Sequence, residues 1–529
     1  MSRVTSHDPE SASLFGRRLP RRWLVAGFFV LLTLGGVLGY RHYGVSWDEI
    51  NMVEMGNQVY DSLTKGLPWP EEKSKRYYGP VFELVLTSAQ RITGADDGRS
   101  ILLLRHLLSF LAFVAGVYAF YRLVLERTGR WGYALLGAAM LALSPRIFAD
   151  AFYNSKDIPA MSAFILSMWT LLRFFKEPTW KRLILHAAAS ALLLSIRIPG
   201  VLVPVATSFL LAVHAAIAIA RDRSSVGAIA KEATLRIGAY LLLTVILTIV
   251  LWPFLWQDPV SRFLEAYRFG TTLGFGGFYF GTQLEEAFPW HYPFVWIFIT
   301  TPLVYTALFL TGLGLTVKRA IRHPIRWLEE SPHDAAVLLW FFGPIAAVIL
   351  AGGGIFDGWR HLYFIYPAFL LLAILGWQGI TTFYHARGRM LVWKTCAWIL
   401  GVWMAWLAVW MVVNHPLQNV YFSLPSSMIQ NRFELDYWGL SYRPALEWVL
   451  ENDPAPIIPI HVLNSPGLYT YNILTPQQQA RIQYVGSPAE AKYFLNNYRT
   501  QYGQPVPYPK VHAITVGGIE VLGIYQPRQ

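Results

Sequence analysis

Long apolar runs punctuate the chain at residues 23–40, 101–121, 237–251 and 395–413, with shorter ones between them. Such runs approach the ~20 residues that a helix needs to cross a ~30 Å hydrocarbon core. In lipid, where no water satisfies backbone groups, only a helix bundle accommodates so many of them. The polar segments between the runs alternate in charge. Lys and Arg cluster at the N-terminus and at 122–130, 173–182, 221–236, 318–326 and 387–394. The intervening loops, at 41–100, 145–156, 197–200, 256–292 and 352–360, are less basic. Read by the positive-inside rule, this alternation predicts about eleven crossings, with the basic loops in the cytoplasm and the others outside.

Two segments of the first outer loop, 50–63 and 81–92, carry apolar residues at helical spacing but are too short to span. They are expected to be amphipathic helices in the outer interface. From residue 414 the apolar runs stop and Pro, Asn, Gln and Tyr rise, marking a domain boundary. Membrane module 1–413 is thus followed by a small external α/β domain, 414–529. That domain is expected to hold a helix at 443–451, a strand at 457–463, and a hairpin whose strands, 511–516 and 519–525, flank Gly517-Gly518.

Composition agrees with a membrane location: 54% of residues are hydrophobic and 14% charged. The net charge of +12 lies in scattered clusters between apolar runs, which speaks for topology signals and against nucleic acid. Cys396 is the single cysteine, so the chain forms no internal disulfide and no cysteine-based metal site. Arg17, Arg18, Arg21 and Arg22 precede the first span, but Tyr40-Arg41-His42-Tyr43 offers no small-residue cleavage site, and the span is read as a retained anchor.

Candidate chemistry gathers in the outer loops. Asp48 and Glu49 follow the first span; mutual repulsion and desolvation would raise the pKa of such a pair and suit a general base, while an acidic residue here would equally cap the helix that follows. The stretch Pro145-Arg146-Ile147-Phe148-Ala149-Asp150-Ala151-Phe152-Tyr153-Asn154-Ser155-Lys156-Asp157 sets four charges at membrane depth, either as a functional site or as a loop whose Arg146 and Lys156 neutralise Asp150 and Asp157. Arg197 and Arg360-His361 lie at the outer ends of apolar runs, where an arginine either grips a phosphate or snorkels to lipid headgroups. Gly274-Phe275-Gly276-Gly277-Phe278-Tyr279 and Pro289-Trp290-His291-Tyr292 suit a lid over a sugar or an interfacial aromatic belt. The chain has no P-loop, GxSxG or HExxH pattern.

In their order these segments resemble membrane glycosyltransferases of the GT-C fold, specifically bacterial relatives of glycosyltransferase family 39, the protein O-mannosyltransferases. The resemblance rests on Trp47-Asp48-Glu49, Asn154-Ser155-Lys156-Asp157-Ile158-Pro159, Trp290-His291-Tyr292-Pro293 and Arg360-His361-Leu362-Tyr363-Phe364. His415-Pro416-Leu417-Gln418-Asn419-Val420-Tyr421-Phe422 and Asp436-Tyr437-Trp438-Gly439 complete it. It implies an inverting transfer of sugar from a polyprenyl-phosphate donor to a glycan, lipid or protein acceptor at the extracytoplasmic face of the inner membrane. The implied base is Asp48, with Glu49 as helper, and Lys156, Arg197 and Arg360 are implied for the phosphate. Asn154, Asp157, His291 and His361 are the further implied substrate contacts. A divalent metal is left open, since such enzymes include both metal-using and metal-free members. The chain departs from the family in lacking the inserted soluble repeats of the eukaryotic enzymes. A multi-span transporter or lipid flippase is the competing reading, and a noncatalytic scaffold a third; a transporter should show repeated halves and charges deep within its spans.

Overall fold

The computed structural model describes residues 11–14, 17–271, 276–285, 288–351, 355–499 and 502–527. Among these, nine helices are long and apolar enough to cross a membrane, or ten if a bent pair counts as one span. The pair is Trp131–Ala142 and Pro145–Tyr153, which meet at 66°. Pro145 is the cause: its ring pushes Ser144 out of helical geometry, to φ −91° and ψ 103°.

The eleventh crossing expected from the sequence is Trp180–Leu194, whose 15 residues rise only ~22 Å. Its far end is nevertheless level with the start of the preceding helix, Asp157–Lys176, because Arg197 reaches Asp157 at 2.6 Å. The two helices form a hairpin with both open ends at one face, so the alternation of the chain is preserved. The run at 293–317 is likewise broken, into Tyr292–Thr300 and Leu303–Arg322, where Thr301 is extended before Pro302.

The central element is Tyr366–Ala386, whose first nine residues are all buried. Against it lies Leu303–Arg322, and the approach is close because both carry glycine at the crossing. A Cβ on Gly312 would collide with the carbonyl of Leu372, and one on Gly376 with that of Leu308. Small residues at such crossings let helices pack where lipid supplies no hydrophobic drive. Two helices of the long first loop occupy the segments expected, Glu49–Lys65 and Val81–Thr93.

After the last membrane-length helix, Met390–Val413, comes a five-stranded sheet in the order Ile482–Tyr484, Ile458–Val462, Tyr493–Asn496, Ile519–Tyr525 and Lys510–Val516. Its first three strands are parallel and its last two join antiparallel. Gly517 and Gly518, at φ +55° and +79°, make the tight turn of the closing hairpin, a conformation that other residues adopt only under strain. Helix Tyr442–Asn452 covers the sheet through Tyr442, Leu446 and Val449. The sheet is tied to the helices by Arg443, whose Nη1 donates to the carbonyls of Arg41 and Tyr43 at 2.6 and 2.7 Å.

Candidate active site

The loop after the first helix is pinned by a hydrogen bond from the Trp47 amide to the Trp438 carbonyl, 3.1 Å. From there its two acidic residues diverge. Glu49 turns inward and is buried, accepting from the Ser46 amide at 2.6 Å and meeting His106 Nε2 at 2.7 Å. Asp48 turns the other way. Its Oδ2 lies 2.7 Å from Lys156 Nζ and 3.3 Å from Arg360 Nη1, and its side chain keeps 20% exposure. The expected repulsion between adjacent carboxylates therefore does not arise. Burial pushes the Asp48 carboxyl up, but Lys156 and Arg360 outweigh it and hold the group well below the usual carboxylate range.

Lys156 and Asp157 are set by Asn154, whose Oδ1 accepts from their amides at 3.3 and 2.9 Å and whose Nδ2 donates to Asp157 Oδ2 at 3.0 Å. Such a side-chain cap satisfies orphan donors at the head of the Asp157–Lys176 helix. Asp157 also takes Arg197 Nη2 at 2.6 Å and Arg360 Nη1 at 3.4 Å. Local neutralisation within the 145–157 loop is not how these charges are paired. Lys156 goes to Asp48, while Asp150 accepts from the Tyr153 hydroxyl at 2.6 Å and Trp438 Nε1 at 3.2 Å. Arg146 donates to the Tyr421 carbonyl and lies over the Phe422 ring.

Four further residues complete the cluster, of which Tyr78, Asp357 and Arg499 are not singled out in the sequence. Tyr78 lies beneath two cations, with Lys156 Nζ 5.0 Å and Arg197 Cζ 5.3 Å from its ring centre. Trp438 does the same for Arg360 at 4.7 Å. Asp357 bridges Arg360, at 3.1 Å, to Arg499, at 2.6 Å. Asp357 stands three residues before Arg360, a spacing that could have flagged it, and Trp438 belongs to a motif already quoted for the resemblance. Arg499 is distant in sequence and sends no such signal.

The cluster borders a largely apolar cavity of about 220 Å³. Arg197 and His361 supply its polar end, and Leu202, Phe269, Pro344, Val348 and Phe364 line the rest. His361 packs on Phe356 at 4.5 Å, and its Nδ1 has no partner among the described residues. A second apolar cavity, about 260 Å³, shares Leu202 and Pro344 with the first and continues along Phe164, Phe209 and Trp340. Together they form a greasy groove with a cationic head.

His291 stands apart from the cluster: its Nδ1 meets the Tyr279 hydroxyl at 2.7 Å, and Trp290 beside it is exposed. Gly274 and Phe275 of the glycine-rich stretch lie outside the described residues. No three His, Cys, Asp or Glu side chains among the described residues converge on a point that would hold a metal ion. Asp48 and Asp157 already face fixed cations, a donor set that repels a divalent ion.

Residues 78–256, about a third of the chain, match the family model described as dolichyl-phosphate-mannose-protein mannosyltransferase. None of the curated proteins matches the chain. Among solved structures, the fold is similar to ArnT from Cupriavidus metallidurans bound to undecaprenyl phosphate, at 12% identity and a TM-score of 0.50, over 95% of this chain and 98% of that one. It is also similar to the archaeal oligosaccharyltransferase AglB from Archaeoglobus fulgidus, in complex with an inhibitory peptide and a dolichol-phosphate. That likeness has 11% identity and a TM-score of 0.50, over 90% of this chain and 70% of that one.

Proposed function

We propose that this chain, a membrane glycosyltransferase of the GT-C fold, moves a sugar from a polyprenyl phosphate to an acceptor at the extracytoplasmic face. One observation carries the reading: Lys156, Arg197 and Arg360 converge beside Asp48 at the polar end of an apolar groove. A lipid-linked phosphate has this same division, an anionic head on an isoprenoid tail. The two solved structures with bound dolichol-phosphate and undecaprenyl phosphate support that donor class. The transporter reading is not favoured, since the ionic residues gather at one end of the helices instead of deep within spans.

In the free protein Lys156 and Arg360 are held by Asp48. A donor phosphate entering through Arg197 and His361 competes for both cations, and each one it captures frees Asp48. The carboxylate then recovers basicity, because the charges that depressed its pKa have moved to the phosphate. Asp48 takes the proton from the acceptor nucleophile, whose electron pair forms the new bond to the anomeric carbon. The bond from that carbon to the phosphate oxygen breaks on the opposite face, its electron pair staying with the phosphate, and configuration inverts. Charge grows on the leaving phosphate as Arg197, Arg360 and Lys156 stand ready for it, the geometry in which fixed cations lower a barrier most. Glu49 and His106 hold the loop, and Asn154 and Asp157 orient Lys156 and Arg197.

Basic loops in the cytoplasm assign the N-terminus to that side and residues 414–529 to the outside of the inner membrane, as a domain distinct from the 1–413 module. The acceptor is a glycan, a lipid or a protein.

Native mass spectrometry in nanodiscs tests the donor site. Undecaprenyl phosphate should be retained in preference to phosphatidylglycerol, and Arg360→Ala should abolish that preference. Equal retention of the two lipids by the unmodified protein would refute the reading.

A further inference from the structure

A third cavity, of about 360 Å³, is bordered by Arg499, which also pairs with Asp357 of the ion cluster. Its walls include Phe278, Gln283, Glu434, Arg499, Tyr502 and Gln504. Glu434 is 4% exposed, and its Oε2 has no hydrogen-bond partner among the described residues. The Tyr502 hydroxyl is also buried, with no partner among the described residues, and its ring stacks on Phe278 at 4.4 Å and 13°. The Glu434 amide donates to the Phe278 carbonyl at 3.2 Å, fixing the carboxyl against this strand. Gly277 leaves room there, since a Cβ would meet Glu434 Oε2 at 3.5 Å. Arg499 spends its two terminal nitrogens on Tyr437 and Asp357 and lies 4.6 Å over the ring of Trp47, the neighbour of Asp48.

Burying a polar atom unpaired is costly, and two in one cavity call for an explanation. A cation in this cavity would face Arg499, and an anion would find that guanidinium already engaged by Asp357 and the Tyr437 carbonyl. A neutral ring rich in hydroxyls meets neither objection. Its hydroxyls both donate and accept, matching a carboxyl, a phenol and two amides, while its C–H face packs on a flat aromatic pair. Burial and the neighbouring Asp357 push the Glu434 carboxyl up to about 8, so that at neutral pH it donates as well as accepts.

We infer that this cavity binds a neutral sugar ring, the glycan portion of the acceptor, with Arg499 as the wall between it and the donor phosphate. The designation as acceptor rests on the transfer reading above, whereas the binding of a sugar does not.

The test is saturation-transfer NMR on the full chain in phosphatidylcholine nanodiscs free of sugar detergents. The probes are methyl glycosides of mannose, glucose and N-acetylglucosamine, with methyl phosphate and tetramethylammonium as charged controls. At least one glycoside should receive saturation and neither ion should. Gly277→Val, which suits a strand and extends into the space beside Glu434, should reduce the signal at least tenfold, and so should Glu434→Ala, with thermal unfolding followed for each. Arg197→Ala should leave it intact. Absence of transfer to all three glycosides, or an undiminished signal in a folded Gly277→Val, would overturn the inference. Glycoside binding that survives while undecaprenyl phosphate binding fails would sink the donor reading and leave this one standing.

Discussion

Arg197→Ala separates the proposed phosphate contact from a structural one, because this side chain both pairs with Asp157 and lines the groove. Its Nη2 is 2.6 Å from Asp157, and it also lines the apolar groove. If the guanidinium grips the donor phosphate, its removal deletes a charge-assisted bond of ~1.5–3 kcal/mol, which is roughly a 10- to 150-fold loss in kcat/KM for the lipid donor. The same change strips a partner from Asp157, which is buried but keeps Asn154 and Arg360. Losing one of several partners should cost stability by about 1–3 kcal/mol, short of the ~3–5 kcal/mol of a fully stranded charge. Adding Asp157→Asn removes the stranded charge. The double variant should therefore regain thermal stability while keeping the donor defect. Arg197→Lys should rescue only in part, since an ammonium lacks the bidentate fork. Donor-dependent transfer in nanodiscs and thermal unfolding, measured on all four proteins, decide the matter. Donor activity returning together with stability in the double variant would show that Arg197 acts only by holding Asp157, and the phosphate assignment would fall.

Asp48→Asn should lower kcat by about 10²- to 10⁴-fold, the usual worth of a general base, while donor affinity holds or improves because Lys156 and Arg360 lose their competing carboxylate; weaker donor binding with unchanged kcat would reverse the assignment. Gly312→Val should destabilise the helix crossing by about 2 kcal/mol or more, seen as a lower unfolding temperature, since its side chain would overlap the Leu372 carbonyl; an unshifted transition would contradict the close approach. Glu434, raised to about 8 from an ordinary 4.5, binds a proton more tightly folded than unfolded. Its contribution to stability is whole below the unfolded value and is lost as pH climbs through about 8. Glu434→Gln should therefore flatten the fall in unfolding temperature between about pH 5 and pH 8, with Asp357, Arg499 and Tyr502 still facing the site; an identical slope in both proteins would count against a protonated Glu434.

Apolar run length and the rhythm of Lys and Arg made the membrane architecture legible from sequence, because both follow directly from the bilayer as solvent. The same signals could not show that Trp131–Ala142 is short and meets the next helix at a sharp angle or that Thr301-Pro302 interrupts a run, since those depend on how helices tilt around a site. The convergence of Lys156, Arg197 and Arg360 could be anticipated from topology alone, which brings three outer ends to one level. Their partners could not. Adjacent Asp48 and Glu49 read as a repelling pair, but the loop sends Glu49 to His106 and Asp48 to Lys156, and only tertiary contact decides that. Arg499 and Glu434 had no local pattern to betray them, because their significance lies in what the C-terminal sheet packs against.

On the proposed mechanism, the charges explain why the base and the phosphate grip would share residues. Lys156, Arg197, Arg360 and Arg499 face Asp48, Asp157 and Asp357, which leaves one positive charge in excess at the end of the groove. A sugar-bearing phosphodiester brings one negative charge and balances it. As the bond to the sugar breaks, the departing monoester gains further charge, and attraction to the same cations grows with it, so the interaction is stronger in the transition state than in the ground state. Ionised and close, Asp48 holds that surplus to one. Proton transfer to Asp48 releases one more unit of positive charge to the leaving phosphate at the moment of cleavage, coupling deprotonation of the acceptor to departure of the lipid.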